Sequence, residues 1–372
     1  MVQSNVLQLL VLQSSINRSV SWSGYSRSSR LDHRDMALTI SKATSDLQRD
    51  SSKYHAGTNL LHNSVDSLLY QTPRLAKDAE YAFAILTAWK ADVEVRPDSS
   101  ISSVAAPIVY HDENSTLFGY IYRPFNINSL NNCLKKLPAV ILFHTGAGPQ
   151  DIFLRWKADS IVTDTNTFPD GAVVLIADIM GDETGWGWDA DRTQYNRVAA
   201  EVLVPDENGE RRVLQSRIKA ALDLMTFQPE VDPKRIGVVG FCLGGHPVLE
   251  LGRMRNVCVR AMVTFHGVFG SVHKMKVSSK AGESSDNEKG SRDVLICTGR
   301  DDPFVPPSDV TAAKTMFESQ GYGVEVMEFE DTKHGFINPA QAYNANPAFG
   351  YNAETCALAW KSMCSLLKDS LN

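Results

Sequence analysis

The segment Arg235–Gly245, RIGVVGFCLGG, runs an apolar stretch straight into a cysteine framed by glycines. Gly240-Phe241-Cys242-Leu243-Gly244 has the spacing of a sharp strand-to-helix turn with a nucleophile at its tip. Gly240 and Gly244 bring no Cβ to collide across such a turn. A sulfur held there sits at the N-terminus of the following helix, whose dipole and free N–H groups favour a thiolate. The N–H of Leu243 points to where an oxyanion would form.

A cysteine nucleophile needs a base, and the base needs an acid to orient it; on this type of turn they follow in the order nucleophile, acid, histidine. The apolar run VLICT leads into Gly299-Arg300-Asp301-Asp302-Pro303-Phe304, so two acids compete, Asp301 and Asp302. The run VEVMEF leads into Glu330-Asp331-Thr332-Lys333-His334, which puts His334 in the next loop. His334 would take the thiol proton or hold a thiolate as an ion pair. The acid would fix its tautomer and stabilise the imidazolium. A second oxyanion donor is expected from Thr145 or Gly146, in the Gly-rich loop after Ala139–His144. That loop lacks both common phosphate-binding glycine patterns. Trp186, Trp188 and Phe304 follow strand ends and could line an apolar pocket. His144, His246 and His266 also lie near strand ends or the turn, but no spaced carboxylate or H-x-x-x-H accompanies them. No metal is therefore expected.

These loops need a frame. Ala139–His144, Val173–Asp178, Ile236–Phe241, Ala261–His266, Val294–Thr298 and Val324–Phe329 are short continuous apolar runs, the pattern of strands buried on both faces. Pro107–Tyr110 and Leu117–Tyr122 flank a turn-forming HDENS and read as a hairpin. Helical periodicity marks Val213–Phe227, with Ile218, Ala221, Leu222 and Met225 on one face, and Glu354–Leu367. Asp309–Gln320 also reads as a helix, with Ser308 as its cap and Gly321 after it. Strands alternating with helices predict a doubly wound, mostly parallel α/β sheet. Before it, Ala79, Ala82, Phe83, Leu86 and Trp89 recur at helical spacing and predict an amphipathic helix over 75–90 that packs on the main domain. Val204–Arg212 and Ser271–Arg292 read as polar surface insertions.

The chain has 372 residues, a net charge of -6 and no basic patch, which argues against a nucleic-acid partner. No apolar run approaches the roughly 18 residues that would cross a bilayer, so no membrane partner is expected. Six scattered cysteines without CxxC pairs suit a reducing compartment, and the cytoplasm is the simplest assignment. Residues 1–31 hold nine Ser, three Arg and no Asp or Glu, the composition of a mitochondrial or plastid transit peptide.

The turn GFCLGG, the segment DDPFVPP, the segment KHGFINP, the tail GYNAETCALAWKSM, the opening VYHDENSTLFGYIYRP and the strand ending AMVTFHG together resemble the dienelactone hydrolase family. The resemblance spans about residues 105–370. It implies an α/β-hydrolase fold, a triad of Cys242, Asp302 and His334, and cofactor-free hydrolysis of lactones or small esters. It also favours Asp302 over Asp301, because the acid stands directly before the aromatic-and-proline stretch. One departure matters: family members often carry a glutamate after the strand that ends at His144, and it helps activate the cysteine. Here that position is Thr145; Asp151 is the candidate for a partial substitute, and nothing in the sequence places it near the sulfur. The expected organisation is a disordered or targeting extension over 1–55, a helical extension over 56–104 and the hydrolase domain over 105–372. The expected function is hydrolysis of a small-molecule ester or lactone through a cysteine acyl-enzyme. The Thr145 departure supports a competing reading, a non-hydrolytic small-molecule sensor on the same fold. A peptidase or acyltransferase is a third, without a cap or propeller domain to restrict peptides.

Overall fold

The computed structural model describes residues 79–96, 101–126, 136–181, 192–254, 257–270, 272–275 and 293–372. The expected extension over 1–55, Trp186, Trp188 and most of the insertion at 271–292 lie outside the described residues.

The described chain opens with helix α1 (Ala79–Val95), then a hairpin of β1 (Ile101–His111) and β2 (Thr116–Asn126). Next come β3 (Leu137–Phe143), α2 (Ile152–Thr163), β4 (Val173–Ala177), α3 (Arg192–Leu203), α4 (Arg212–Thr226) and β5 (Val231–Phe241). A short 3-10 turn, Cys242–Gly244, leads into α5 (Gly245–Arg253). The rest is β6 (Ala261–Phe265), β7 (Asp293–Gly299), α6 (Pro307–Ser319), β8 (Gly323–Phe329) and α7 (Ala353–Leu371). The eight strands form one sheet in the order β1-β2-β4-β3-β5-β6-β7-β8. β1 and β2 pair antiparallel, β2 meets β4 antiparallel, and every later pairing is parallel. This is the doubly wound, mostly parallel sheet that the alternation of apolar runs and helices predicts.

The central runs are continuous because helices cover both faces. Ala139–Phe143, Val173–Ala177 and Val238–Val239 are fully buried. On one face, Ile141, Phe143 and Val238 pack with residues of α3, α4, α5 and α6; on the other, Val140, Leu142, Val239 and Phe241 pack with α1, α2 and α7. The chain winds from β3 outward to β4 and then returns to β5 on the far side of β3. Reversals of this kind open a crevice at the strands' carboxyl ends.

Four local expectations need correction. Val324–Phe329 reads as a doubly buried run, yet β8 is the edge strand and is only partly buried along its length. α6 begins at Pro307 after Pro306, with no side-chain cap; Ser308 lies inside its first turn. Proline suits this place, because its missing N–H would be unpaired there anyway. The buried face of α1 carries Ala82, Ile85 and Trp89, while Phe83 is exposed. Val204–Arg212 is no simple surface loop, because Arg211 is 1% exposed.

α2 carries no clear helical period in the sequence. The reason is that all but one of its twelve residues are buried, so no polar face remains to mark the period. Its charged residues are buried too: the Arg155 guanidinium lies 3.8 Å from the Tyr120 ring centre and the Lys157 ammonium 3.5 Å from that of Trp156. Burial pushes Lys157 down to about 8.

α1 docks on α2 through reciprocal tryptophan–aspartate bonds. Trp89 Nε1 donates to Asp159 at 2.8 Å, and Trp156 Nε1 donates to Asp92 at 3.0 Å. Arg96 bridges both acids, at 2.8 Å to Asp159 and 2.5 Å to Asp92. Trp89→Ala removes a buried ring and one partner of Asp159, so urea unfolding should show a loss of about 3–5 kcal/mol. A loss under about 1 kcal/mol would mean that α1 is an appendage rather than part of the core.

Candidate active site

β5 delivers Cys242 to the carboxyl edge of the sheet with φ +52°, a left-handed conformation rare for a side chain of this kind. The turn's glycines are sterically required. A Cβ on Gly240 would stand 2.1 Å from the Gly244 carbonyl oxygen, and one on Gly244 would stand 2.4 Å from the Phe143 carbonyl oxygen. The turn is thus wedged between its own next residues and the end of β3. The Cys242 carbonyl accepts the Val268 N–H at 2.8 Å, which ties the turn to the loop after β6. Strain at a single residue persists where the surroundings over-determine it. Leu243 follows in the 3-10 turn that leads into α5 and is buried.

The acid and the histidine come from the loops after β7 and β8. Asp302 Oδ2 accepts from His334 Nδ1 at 2.7 Å, and its Oδ1 accepts the Phe304 N–H at 2.9 Å. Both side chains are fully buried, whereas the neighbouring Asp301 is exposed. The His334 backbone is pinned to Ala348 and Gly350 at 3.1 Å each. The Cys242 sulfur and ring nitrogens of His334 and His266 all lie within 4.8 Å of one another. Burial alone would lower the pKa of His334, but Asp302 and Cys242 beside it raise it to about 10. The arrangement is that of an imidazole held between a carboxyl group and a sulfur, with Nε2 turned away from Asp302.

Phe304 and Phe349 meet the His334 ring edge-on, with centres 5.0 and 5.2 Å away, so the imidazole lies between apolar rings. Thr145 and Gly146 sit after β3, beside the turn, because Phe143 pairs with Gly240 across the β3–β5 register. The Thr145 hydroxyl accepts the Ala147 N–H at 3.2 Å, and its carbonyl accepts the Gly148 N–H at 3.1 Å.

The three other histidines have separate fates. His144 donates from Nδ1 to the Thr145 carbonyl at 2.6 Å and accepts the Ile179 N–H at Nε2, 3.0 Å away. Both its nitrogens are therefore spent, one on the Thr145 loop and the other on the backbone after β4. His246 is buried in the first turn of α5; burial and then the Arg211 charge hold its pKa well below the ordinary value. His266 faces His334, ring centres 4.6 Å apart. Burial and then the charge of His334 keep its pKa well below the ordinary value.

Sequence spacing gives no sign of the polar bridge behind the Thr145 loop. Asp151 caps α2 and accepts from the Tyr81 hydroxyl at 2.8 Å, the Phe153 N–H at 3.1 Å and the Thr145 hydroxyl at 3.4 Å. Asn338, four residues after His334, donates to the Tyr81 oxygen at 2.9 Å. Tyr81 on α1 thus links the loop after β3 to the histidine loop across separations of 70 and 257 residues. Burial pushes the Asp151 carboxyl up. Its hydrogen bonds run to these groups, so it serves the loop rather than standing in for the glutamate that Thr145 replaces.

The raised pKa of His334 has a stability consequence. The folded value, about 10, lies above the roughly 6.5 of an unfolded histidine. Its proton therefore stabilises the fold fully below about pH 6.5, and that contribution is lost as pH rises through about 10. The gap in urea-unfolding free energy between wild type and His334→Gln should narrow steadily between those values. A gap of constant size would mean that His334 is neutral in the folded protein.

Residues 126–371 match the dienelactone hydrolase family. The chain is 27% identical over 168 residues to the uncharacterised Caenorhabditis elegans protein K02A2.1, covering 45% of this chain and 99% of that one. It is 23% identical over 262 residues to a Synechocystis protein provisionally named carboxymethylenebutenolidase, covering 70% of this chain and 94% of the relative. Its fold is similar to the crystal structure of a dienelactone hydrolase-like promiscuous phosphotriesterase from metagenomic libraries, with a TM-score of 0.56 and 25% identity over 73% of this chain and all of the other. A mostly parallel eight-stranded sheet, a cysteine at its strand-to-helix turn and a match over two thirds of its length together place this chain in the dienelactone hydrolase family of ester-bond hydrolases.

Proposed function

We propose that the protein hydrolyses a small carboxylic ester or lactone through a thioester intermediate on Cys242, with His334 as base and acid and Asp302 as the group that orients it. The buried 2.7 Å contact between Asp302 and His334, with Cys242 at the ring's other side, carries the reading.

In the acylation step the Cys242 sulfur attacks the ester carbon, and the carbonyl π electrons move onto oxygen. Backbone N–H groups of Leu243 and of Thr145 or Gly146 are the donors for that oxyanion. Collapse of the intermediate breaks the carbon–oxygen bond, and the proton on His334 goes to the leaving alkoxide. The now neutral His334 takes a proton from water, and the hydroxide attacks the thioester carbon. The carboxylic acid leaves, the thiolate returns, and His334 keeps the proton. Asp302 stays ionised throughout and stabilises each imidazolium. Phe304 and Phe349 around His334 favour an acyl group that is small and apolar. The name of the Synechocystis relative supports a lactone as the ester. Because Asp151 is bonded to Tyr81 and Thr145, activation of the sulfur falls to His334 and the start of α5.

Among the described residues no helix is long and apolar enough to cross a membrane. The five described cysteines are free thiols, which supports a reducing compartment.

Wild type and Cys242→Ala should be compared on short-chain p-nitrophenyl esters and small lactones, with intact mass recorded during turnover. The expected result is turnover by wild type, a transient acyl adduct on Cys242 and no turnover by Cys242→Ala. His334→Gln should lower kcat/KM by about 10²–10⁴-fold. Cys242→Ser should keep the fold and lose most activity, because oxygen does not form the anion readily. A well-folded wild type as inert as Cys242→Ala would reject hydrolysis and leave the sensor reading.

A further inference from the structure

His266 is a buried imidazole, 3% exposed, and neither ring nitrogen has a hydrogen-bond partner. Buried polar atoms are nearly always paired, so two orphans on one ring need a cause. The ring is also held in place at a conformational cost. His266 stands at the carboxyl end of β6 with φ +41°, and its N–H is bonded to the Cys297 carbonyl at 2.8 Å. That backbone turns the side chain toward the reacting groups. The second orphan of the cluster is Nε2 of His334, which is buried and likewise has no hydrogen-bond partner. The third member is the Cys242 sulfur, within 4.8 Å of both histidines.

We propose that Cys242, His266 and His334 form a three-ligand site for a borderline-soft divalent cation of the zinc class, and that its occupation switches hydrolysis off. Zinc takes thiolate sulfur and imidazole nitrogen in tetrahedral sites, and three protein ligands leave the fourth position to water or to an anionic ligand. Metal–sulfur bonds of about 2.3 Å and metal–nitrogen bonds of about 2.0 Å put ligand atoms roughly 3.3–3.6 Å apart. The three atoms therefore need to close by about an ångström around the ion, within the reach of side-chain rotation. His334 has the outer partner that metal-binding histidines use, a carboxylate on the other ring nitrogen, at 2.7 Å. Soft thiolate and imidazole donors select against magnesium and calcium. The ion takes the sulfur's lone pair and the nitrogen of the base, so metal and ester cannot be served together. The cation replaces the proton on His334 Nε2, which leaves to solvent. The inhibitory consequence rests on the hydrolase reading; the binding itself does not.

The test uses the full chain, reduced and freed of metal by chelation. Titration with Co²⁺, a spectroscopic stand-in for zinc, should give a thiolate-to-metal charge-transfer band and tetrahedral visible bands that saturate at one ion per chain. The band should vanish in Cys242→Ala. His266→Asn removes the ring nitrogens while tolerating a left-handed backbone, and circular dichroism would verify its fold. In that variant the Zn²⁺ inhibition constant, measured against the variant's own basal rate, should rise at least about tenfold, the loss expected from removing even an outer partner of a metal ligand. Chelator should restore the wild-type rate. No band at saturating Co²⁺, or equal Zn²⁺ inhibition of wild type and folded His266→Asn, would overturn the site. A metal-free protein that forms the band but cleaves no ester would sink the hydrolase reading alone and leave the site standing.

Discussion

A carboxylate and an imidazolium taken out of water together form the interaction on which the rest of this molecule depends. Asp302 and His334 are both buried, and their 2.7 Å contact is made between two different loops. Burial alone would lower the pKa of His334. Together, and with the Cys242 sulfur on the ring's far side, they keep a charged histidine in an apolar box. That requires the loops after β7 and β8 to be held closely, and the structure ties them. The Asp301 N–H bonds the Thr332 carbonyl at 3.1 Å, and the Arg300 N–H bonds the Phe329 carbonyl at 2.9 Å.

The sulfur's placement is the second constraint, and it is steric. Cys242 stays left-handed because β3, the turn and the loop after β6 leave no room for another path. Stacked rings lie beneath it: Phe241 on Phe265 at 5.3 Å, and Phe265 near Trp360 at 6.1 Å. A third tie comes from outside the matched family region. Tyr81 on α1 joins the Thr145 loop to the His334 loop, and α1 is itself fixed to α2 by the paired Trp–Asp bonds. The helix ahead of the family domain is thus part of how two of the site's loops keep their spacing.

Much of this frame is legible in the residues alone. Strands covered on both faces announce themselves as continuous apolar runs, and five such runs locate β3 to β7 with errors only at the ends, while a sixth run marks the partly buried edge strand β8. The nucleophile turn is legible because glycine is forced at Gly240 and Gly244. Chain order then points to the loops of Asp302 and His334. Other features escape for physical reasons. α2 is buried all round and has no amphipathic period. Tyr81, Asp151 and Asn338 meet through folding across long separations, as do Trp89 with Asp159 and Trp156 with Asp92. Single polar contacts between distant segments leave no trace in spacing. Arg211 looks like part of a polar loop, yet it is buried against the Gly270 carbonyl at 2.9 Å. His266 was visible as a histidine at a strand end; its turn toward His334 depends on a backbone conformation that no pattern encodes.

The central claim is that His334 is an imidazolium poised between Asp302 and the Cys242 sulfur. ¹⁵N NMR of histidine-labelled protein reads the protonation of each ring nitrogen directly. At pH 8 the account predicts both nitrogens of His334 protonated in wild type, and a lower pKa for that ring in Cys242→Ala. A singly protonated, neutral ring at pH 8, unaffected by removal of the sulfur, would contradict it.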